Sequence, residues 1–362
     1  MKKTNPVSAH ILCALVSCTF VNSYVFAKDD NLEIGGYIML DHDSFDTAFL
    51  EDGDSSQSLA EIRRARLSFK SQFMKDWKTK FQIDLTDGNT EIKDAYLRYQ
   101  GLNWADITLG KQKEAFGLEK LTSSRNLLMI ERSMVSEALA PGRSLGISAS
   151  GELASMNWQL GYYQPEESES ATAITGRLTW TPWQQNNNLV HLGVAFSERD
   201  LNGSEFRMNE QLEVNLSDSL LDGENLLADK VSLAGIEFLW QQNGFTTLAE
   251  WQQATVKDVN SSEYDYQGGY LQVSYQLSGD NRTYKNGSLG KVTTPGWELT
   301  SRYSQFELLN EDREAQTYSI GVNYTVNNKL KFMGDYIKAK LFEGGFEIDA
   351  GDAISLRAQY SF

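Results

Sequence analysis

Cysteine is almost absent from this chain of 362 residues: there are two, Cys13 and Cys18, and both lie in the first 27 residues. The remainder therefore has no disulfide framework and no thiolate for catalysis or for zinc. Histidine is nearly as scarce, with His42 and His191 alone beyond that N-terminal stretch. Two isolated imidazoles without a G-x-S-x-G turn make neither a Ser–His pair nor a metal site, so neither an enzyme nor a bound cofactor is expected. Beyond the N-terminus no run reaches the roughly 20 apolar residues that a membrane-crossing helix needs. A basic excess is missing too: the net charge of −16 becomes −18 once Lys2 and Lys3 are removed. That excludes duplex nucleic acid as a partner, because phosphate binding needs a basic face. What is plentiful is 28 Gly, 16 Tyr, 17 Phe and 8 Trp against only 5 Pro, a balance that suits strands and turns.

Lys2-Lys3 precede an apolar stretch from Ile11 to Phe26, and Ala27 stands before Lys28-Asp29-Asp30. A basic start, a short apolar middle and a small residue at the cut describe an export signal peptide, residues 1–27. Leu15-Val16-Ser17-Cys18 has the outline of a lipoprotein box, but the apolar run continues past Cys18, where a lipoprotein would begin a polar tether. Residues 28–362 then form one domain.

From Leu32 to the C-terminus the chain alternates apolar and polar residues, the period of a strand. Trp77, Thr79, Phe81, Ile83 and Leu85 interleave with Lys78, Lys80, Gln82, Asp84 and Thr86, and Ile354, Leu356, Ala358, Tyr360 and Phe362 with Ser355, Arg357, Gln359 and Ser361. Counting such segments gives about sixteen, each with its connection taking roughly 21 residues. The polar face is rich in Arg, Lys, Gln and Asp, too polar for the interior of a sandwich, where an unpaired charge is costly. A membrane barrel inverts the usual arrangement: the apolar rows face lipid and the polar rows enclose water. Alternation alone does not separate that barrel from a secreted soluble sandwich. The export signal, the missing cysteines and the regular strand number favour an all-β, transmembrane antiparallel barrel of sixteen strands, closed because lipid cannot satisfy an open edge.

The links support this. Short ones fall at Lys75-Asp76, Gly101 to Asn103, Ala154-Ser155, Gln184 to Asn188, Gln242 to Gly244 and Val326 to Asn328. Alternate links are longer: Ser44 to Ala60, Lys113 to Pro141, Gln164 to Thr172, Asp200 to Ala228 and Ala339 to Gly351. Short turns on one rim and long loops on the other are the outer-membrane pattern; Ser278 to Pro295 breaks it, being long where a short turn is expected. The last residue is Phe362, with Tyr360 two before it, as in strands that barrel-assembly machinery recognises.

Charge is distributed unevenly. Asp41 to Glu61 holds seven acidic residues and no Lys or Arg, and Arg199 to Asp229 holds eight acidic against two basic. These stretches are expected as outer loops; Asp41, Asp43 and Asp46 could bind Ca²⁺ loosely, but an acidic loop bridged by divalent ions to lipopolysaccharide is the simpler reading. Ile62 to Arg98 instead holds nine basic against five acidic residues. Arg64, Arg66, Lys70, Lys78, Lys80 and Arg98 share the parity of the polar face there, with Arg63 at the strand start. In a narrow lumen such a ladder draws in anions. The plainer reading pairs these bases with Asp84, Asp94 and Glu91, merely keeping the pore wet. Lys111 to Arg143 is too apolar to stay in solvent and too irregular for a strand. It is expected to fold into the barrel mouth as a constriction; the alternative is an Ω-loop on the rim or against a neighbouring subunit. The functional expectation is a water-filled channel for small solutes, anions above all, and the alternative a plugged, non-conducting structural or binding barrel.

Phe116-Gly117-Leu118-Glu119, Thr122-Ser123-Ser124, Glu131-Arg132 and Ala140-Pro141-Gly142-Arg143 resemble the third-loop region of the phosphate-selective porin O/P family. Tyr275 to Tyr284, followed by Pro295 and Trp297-Glu298-Leu299, and Glu61-Ile62-Arg63-Arg64-Ala65-Arg66 are further matches. The resemblance implies a sixteen-stranded barrel of the bacterial outer membrane, usually a homotrimer, that passes small anions such as phosphate by passive diffusion. It places the long Ser278 to Pro295 link on the periplasmic side. Arg64 and Arg66 would belong to the wall ladder, and Lys113, Lys120 and Arg125 to the infolded third loop. The chain departs from the family in that loop, where the bases are scattered between Glu114, Glu119 and Glu131 rather than clustered. That departure weakens the case for high-affinity phosphate selection and leaves general porin activity untouched.

Overall fold

The computed structural model describes residues 31–50, 56–88, 90–166 and 170–362; the expected signal peptide lies outside them. No helix among the described residues is long and apolar enough to cross a membrane. Strands fill the chain instead. They are β1 Asn31–Asp46, β2 Ser56–Phe73, β3 Trp77–Asp84, β4 Glu91–Tyr99, β5 Asp106–Lys113, β6 Arg143–Leu153, β7 Met156–Gln164 and β8 Thr172–Gln185. The second half supplies β9 Asn188–Phe206, β10 Leu226–Gln242, β11 Phe245–Asp258, β12 Glu263–Gln276, β13 Gly296–Leu308, β14 Arg313–Thr325, β15 Leu330–Glu343 and β16 Phe346–Ser361. Each pairs with its neighbour in sequence, and β16 pairs antiparallel with β1, closing the barrel.

The two faces fall as a membrane barrel requires. On β16, Ile354, Leu356 and Tyr360 are exposed while Ser355, Arg357 and Gln359 are buried. On β8 and β9, Ile174, Leu178, Trp180, Leu192, Val194 and Phe196 are exposed, and Thr175, Arg177, Thr179, His191 and Ser197 are buried. Continuous exposed apolar rows of this extent need a hydrocarbon solvent. Aromatic pairs mark one edge of the band: Phe245–Tyr275 at 4.3 Å, Trp297–Tyr324 at 4.5 Å and Trp77–Tyr99 at 5.0 Å between ring centroids stand beside the short-turn rim.

Turn chemistry closes the hairpins. At Asn243-Gly244 both residues have positive φ, 49° and 86°, the backbone of the two-residue turn that Asn-Gly favours. A Cβ on Gly244 would stand 2.7 Å from the Gln276 carbonyl oxygen. The 277–295 link does lie on this rim and carries its own small hairpin, Tyr284-Lys285 with Ser288-Leu289. One expected long link is corrected. Between Ala339 and Gly351 the strands run on to a tight turn at Gly344-Gly345, whose φ values of 58° and 76° suit glycine. Charged residues of the two strands are cross-strand partners: Lys340 meets Glu347 at 2.6 Å and Lys338 meets Asp352 at 3.5 Å.

The buried face is not uniformly polar, which corrects the expected pattern. On β10, β11 and β15 it carries Leu233, Leu239, Leu248, Val256 and Ile337. Phe116, Leu118, Met134 and Val135 from the 114–142 link, and Leu212 and Val214 from the 207–225 link, pack on these residues with Leu289 of the small hairpin. The acidic 207–225 segment therefore does not simply decorate the rim: Glu213 is buried and bound to Arg302 at 2.6 Å. Asp41 and Asp43 likewise belong to the buried face of β1.

Candidate functional site

Register decides which bases gather. Met39 pairs with Arg64 and Leu40 with Ile62, so Arg63 is the extra residue of a β-bulge in mid-β2, not at its start. The bulge lets two consecutive arginines point to the same side, a re-aiming that alternation forbids. Arg63 and Arg64 both reach Glu131, at 2.9 Å and 3.8 Å. A second bulge, where Gln82 pairs with Asp94 and Ile83 with Ile92, does the same for Lys93 beside Asp94.

These strands border an open cavity of about 790 Å³. Arg64, Arg66, Lys70, Lys80 and Arg98 line it from the wall, and Lys113, Lys120 and Arg125 line it from the end of β5 and the link that follows. Lys78 does not border the cavity; it is an exposed residue beside the 74–76 turn. Lys93, Arg132, Arg143 and Tyr37 are lining residues that the parity argument passed over. A second cavity of about 410 Å³ shares Arg98, Ser150 and Gln159 with the first, and a third of about 580 Å³ shares Glu152, Asn157, Lys285 and Asn286 with the second. Together they trace one side of the barrel from β2 to β8, ending at the 277–295 hairpin.

Part of the ladder is neutralised. Arg66 meets Asp84 at 2.7 Å, Asp94 is shared by Lys80 at 2.7 Å and Arg143 at 2.9 Å, and Lys93 meets Glu91 at 2.5 Å. Other bases have softer partners. Arg98 donates to Thr108 and lies 5.3 Å from the Tyr96 ring, and Arg125 lies 5.1 Å above Tyr37. Lys113 borders the cavity, but its ammonium donates to the carbonyls of Lys120, Leu121 and Thr122 and so holds the loop. Arg64 Nε is buried without a hydrogen-bond partner.

The 114–142 link carries helix α1, Leu118–Leu121, and helix α2, Met134–Ala138. Wall side chains from many strands grip its backbone. Glu250 of β11 accepts from the Leu118 and Glu119 amides at 2.9 and 2.7 Å, and Asp335 of β15 from Ile130 N at 2.6 Å. Asn323 of β14 donates to the Leu128 carbonyl, Lys331 of β15 to Leu127, and Arg302 of β13 to Glu131. Within the link Lys120 and Arg132 meet Glu137 at 3.3 and 3.5 Å. Burial alone would raise the Glu137 carboxyl; the two cations outweigh it and hold it down to about 2. Glu131 is likewise desolvated, yet Arg63, Arg357 and Arg64 keep it well below the usual carboxylate range.

Residues 32–362 match the family model described as phosphate-selective porin O and P. The chain belongs to that family. Porin O of Pseudomonas aeruginosa is 24% identical over 92% of this chain and 89% of its own. Among solved structures, the anion-selective porin from Comamonas acidovorans superposes with a TM-score of 0.64 at 13% identity, covering 92% of this chain and all of that one. OmpT of Vibrio cholerae in its trimer form gives 0.58 at 14% identity over 92% and 99%. Membership of the porin O and P family makes this barrel an outer-membrane porin, and the cavities along β2 to β8 are where its water path is to be sought.

Proposed function

We propose that the chain conducts small anions, phosphate among them, through the three cavities on the β2–β8 side, with the 114–142 link folded into the lumen as the constriction. One observation carries the reading. Eleven bases border the largest of the three cavities against five acidic side chains, although the whole chain is strongly acidic at −16. Low-dielectric walls focus that surplus onto the water between them. The link supports its part of the reading because its anchors come from β11, β13, β14 and β15, which only a segment inside the closed wall could reach together. Arg64, Arg66, Lys70, Lys80 and Arg98 form the wall side of the path, and Lys113, Lys120 and Arg125 its loop side. Arrangement as a homotrimer fits the eight-residue β3 and β5, which fall short of the roughly 9–11 residues a tilted strand needs to cross lipid and so suit a subunit contact. The outer face would meet lipid and lipopolysaccharide.

Reversal potential in a salt gradient across a planar bilayer tests this. The wild type should prefer chloride over potassium, and Arg64→Glu with Arg66→Glu should lower the permeability ratio about fivefold or more. Lys78→Glu, outside the cavity, should move it far less. An unmoved potential in the double variant removes the ladder from the path, and a protein that inserts without current would instead be a plugged barrel.

A further inference from the structure

The arginines that the β2 bulge brings together already hold an anion, and it belongs to the protein. Glu131 takes two hydrogen bonds from Arg63, at 2.9 and 3.2 Å, and one from Arg357 at 2.6 Å, while Arg64 stands 3.8 Å away. The Glu131 carboxylate therefore sits where a small oxyanion would be clamped by forked guanidinium donors. Arg64 is the member that also borders the open cavity, and its Nε is the buried donor left without a partner.

The loop does not depend on this carboxylate for its position. The Glu131 carbonyl is held by both terminal nitrogens of Arg302 at 3.1 Å, the Ile130 carbonyl by Arg357 at 2.5 Å and the Ile130 amide by Asp335 at 2.6 Å. Arg357 has a second carboxylate as well, Asp41, at 2.7 Å. The charge of Glu131 is thus spare to the architecture but decisive for what Arg63 and Arg64 offer the solute.

We propose that Glu131 is a tethered competitor of the permeating anion. It occupies the arginine cluster, lowers the affinity of the path for oxyanions, and so lets them pass rather than lodge. Conduction requires attraction strong enough for entry and weak enough for release; a built-in carboxylate sets that compromise. The inference rests on the reading of the β2–β8 cavities as an anion path.

The full-length protein with Glu131→Gln, reconstituted in planar bilayers, tests it with inorganic phosphate as the probe. The variant should raise the anion-to-cation permeability ratio about threefold, and the phosphate concentration that halves the chloride current should fall about tenfold. Adding Arg64→Gln should return both readouts to the wild-type side. If the wild type prefers cations, the path reading fails and this inference with it. If the wild type prefers anions but Glu131→Gln changes neither readout, or Arg64→Gln does not reverse the change, the competitor role alone is overturned. Should the glutamine variant fail to insert, Glu131→Ala is measured in the same way; failure of both makes the carboxylate a tie the fold requires and also overturns the proposal.

Discussion

The two sides of this barrel solve opposite problems with the same alternation. Along β2 to β7 the polar face looks onto open space, and its arginines and lysines are shared out among too few carboxylates. Along β9 to β16 the corresponding face is covered: Gln241, His191, Ser304 and Thr317 have no exposed surface, Glu298 is clamped by Arg282 of the 277–295 link, and Arg302 by Glu213 of the 207–225 link. The difference lies less in the strands than in what lies against them, namely two loops from one rim and a hairpin from the other. A polar barrel interior is therefore a resource that can be left wet for transport or consumed as an anchoring surface.

The sharpest way to break that contrast is to loosen the packed side. Phe116 has no exposed surface and wedges between wall and loop, and Phe116→Ala should cost about 3–4 kcal/mol of loop anchorage. Single-channel recordings should then show larger, noisier conductance, and heat-induced unfolding on gels should begin at lower temperature; an unchanged trace would deny the link any part in the constriction.

Acid offers a milder probe. Glu137 is held down to about 2 from the ordinary 4.5, so the ties to Lys120 and Arg132 contribute fully above pH 4.5 and fade as pH falls towards 2. Closures that follow from loss of these ties should grow more frequent as pH falls below about 4.5. Growth beginning near pH 6 would assign the event to another group.

The smallest effect is expected from the covered side. Replacing Arg282 and Glu298 together by Met removes a pair bonded at 2.6–3.1 Å, with its bonds to the Asn126 carbonyl and the Asn323 amide, that borders none of the three cavities. Buried pairs replaced by apolar residues of like volume are often neutral in stability. The reversal potential should not move, and a shift would place conduction through the packed side as well.

Much of the fold was legible in the residues. Rows such as Ile354, Leu356 and Tyr360 state a period of two, and Asn243-Gly244 or the missing cysteines need no partner to be understood. Arg64, Arg66, Lys80 and Arg98 could be placed on one face by parity. Lys78 has the right parity but the wrong height, since distance along a strand from the cavity depends on how the strands stagger around the closed wall. Arg63 and Lys93 were hidden because a bulge shifts register, and register is a property of two strands rather than one. Glu131 and Glu250 were hidden because their partners are far off in sequence, Arg63 by 68 residues and Leu118 by 132, and one member of each pairing lies on a loop without periodicity.

Alternation, strand number, the missing cysteines and the export signal together pointed from the sequence to a barrel with lipid outside and charge within, because a two-residue period and the cost of an unsatisfied edge are local matters. Which charges meet water and which meet each other was decided only when the wall closed. Closure brings β11 to β15 within reach of a loop that leaves β5, and it sets a carboxylate of that loop between Arg63 and Arg357, which stand at opposite ends of the barrel sequence.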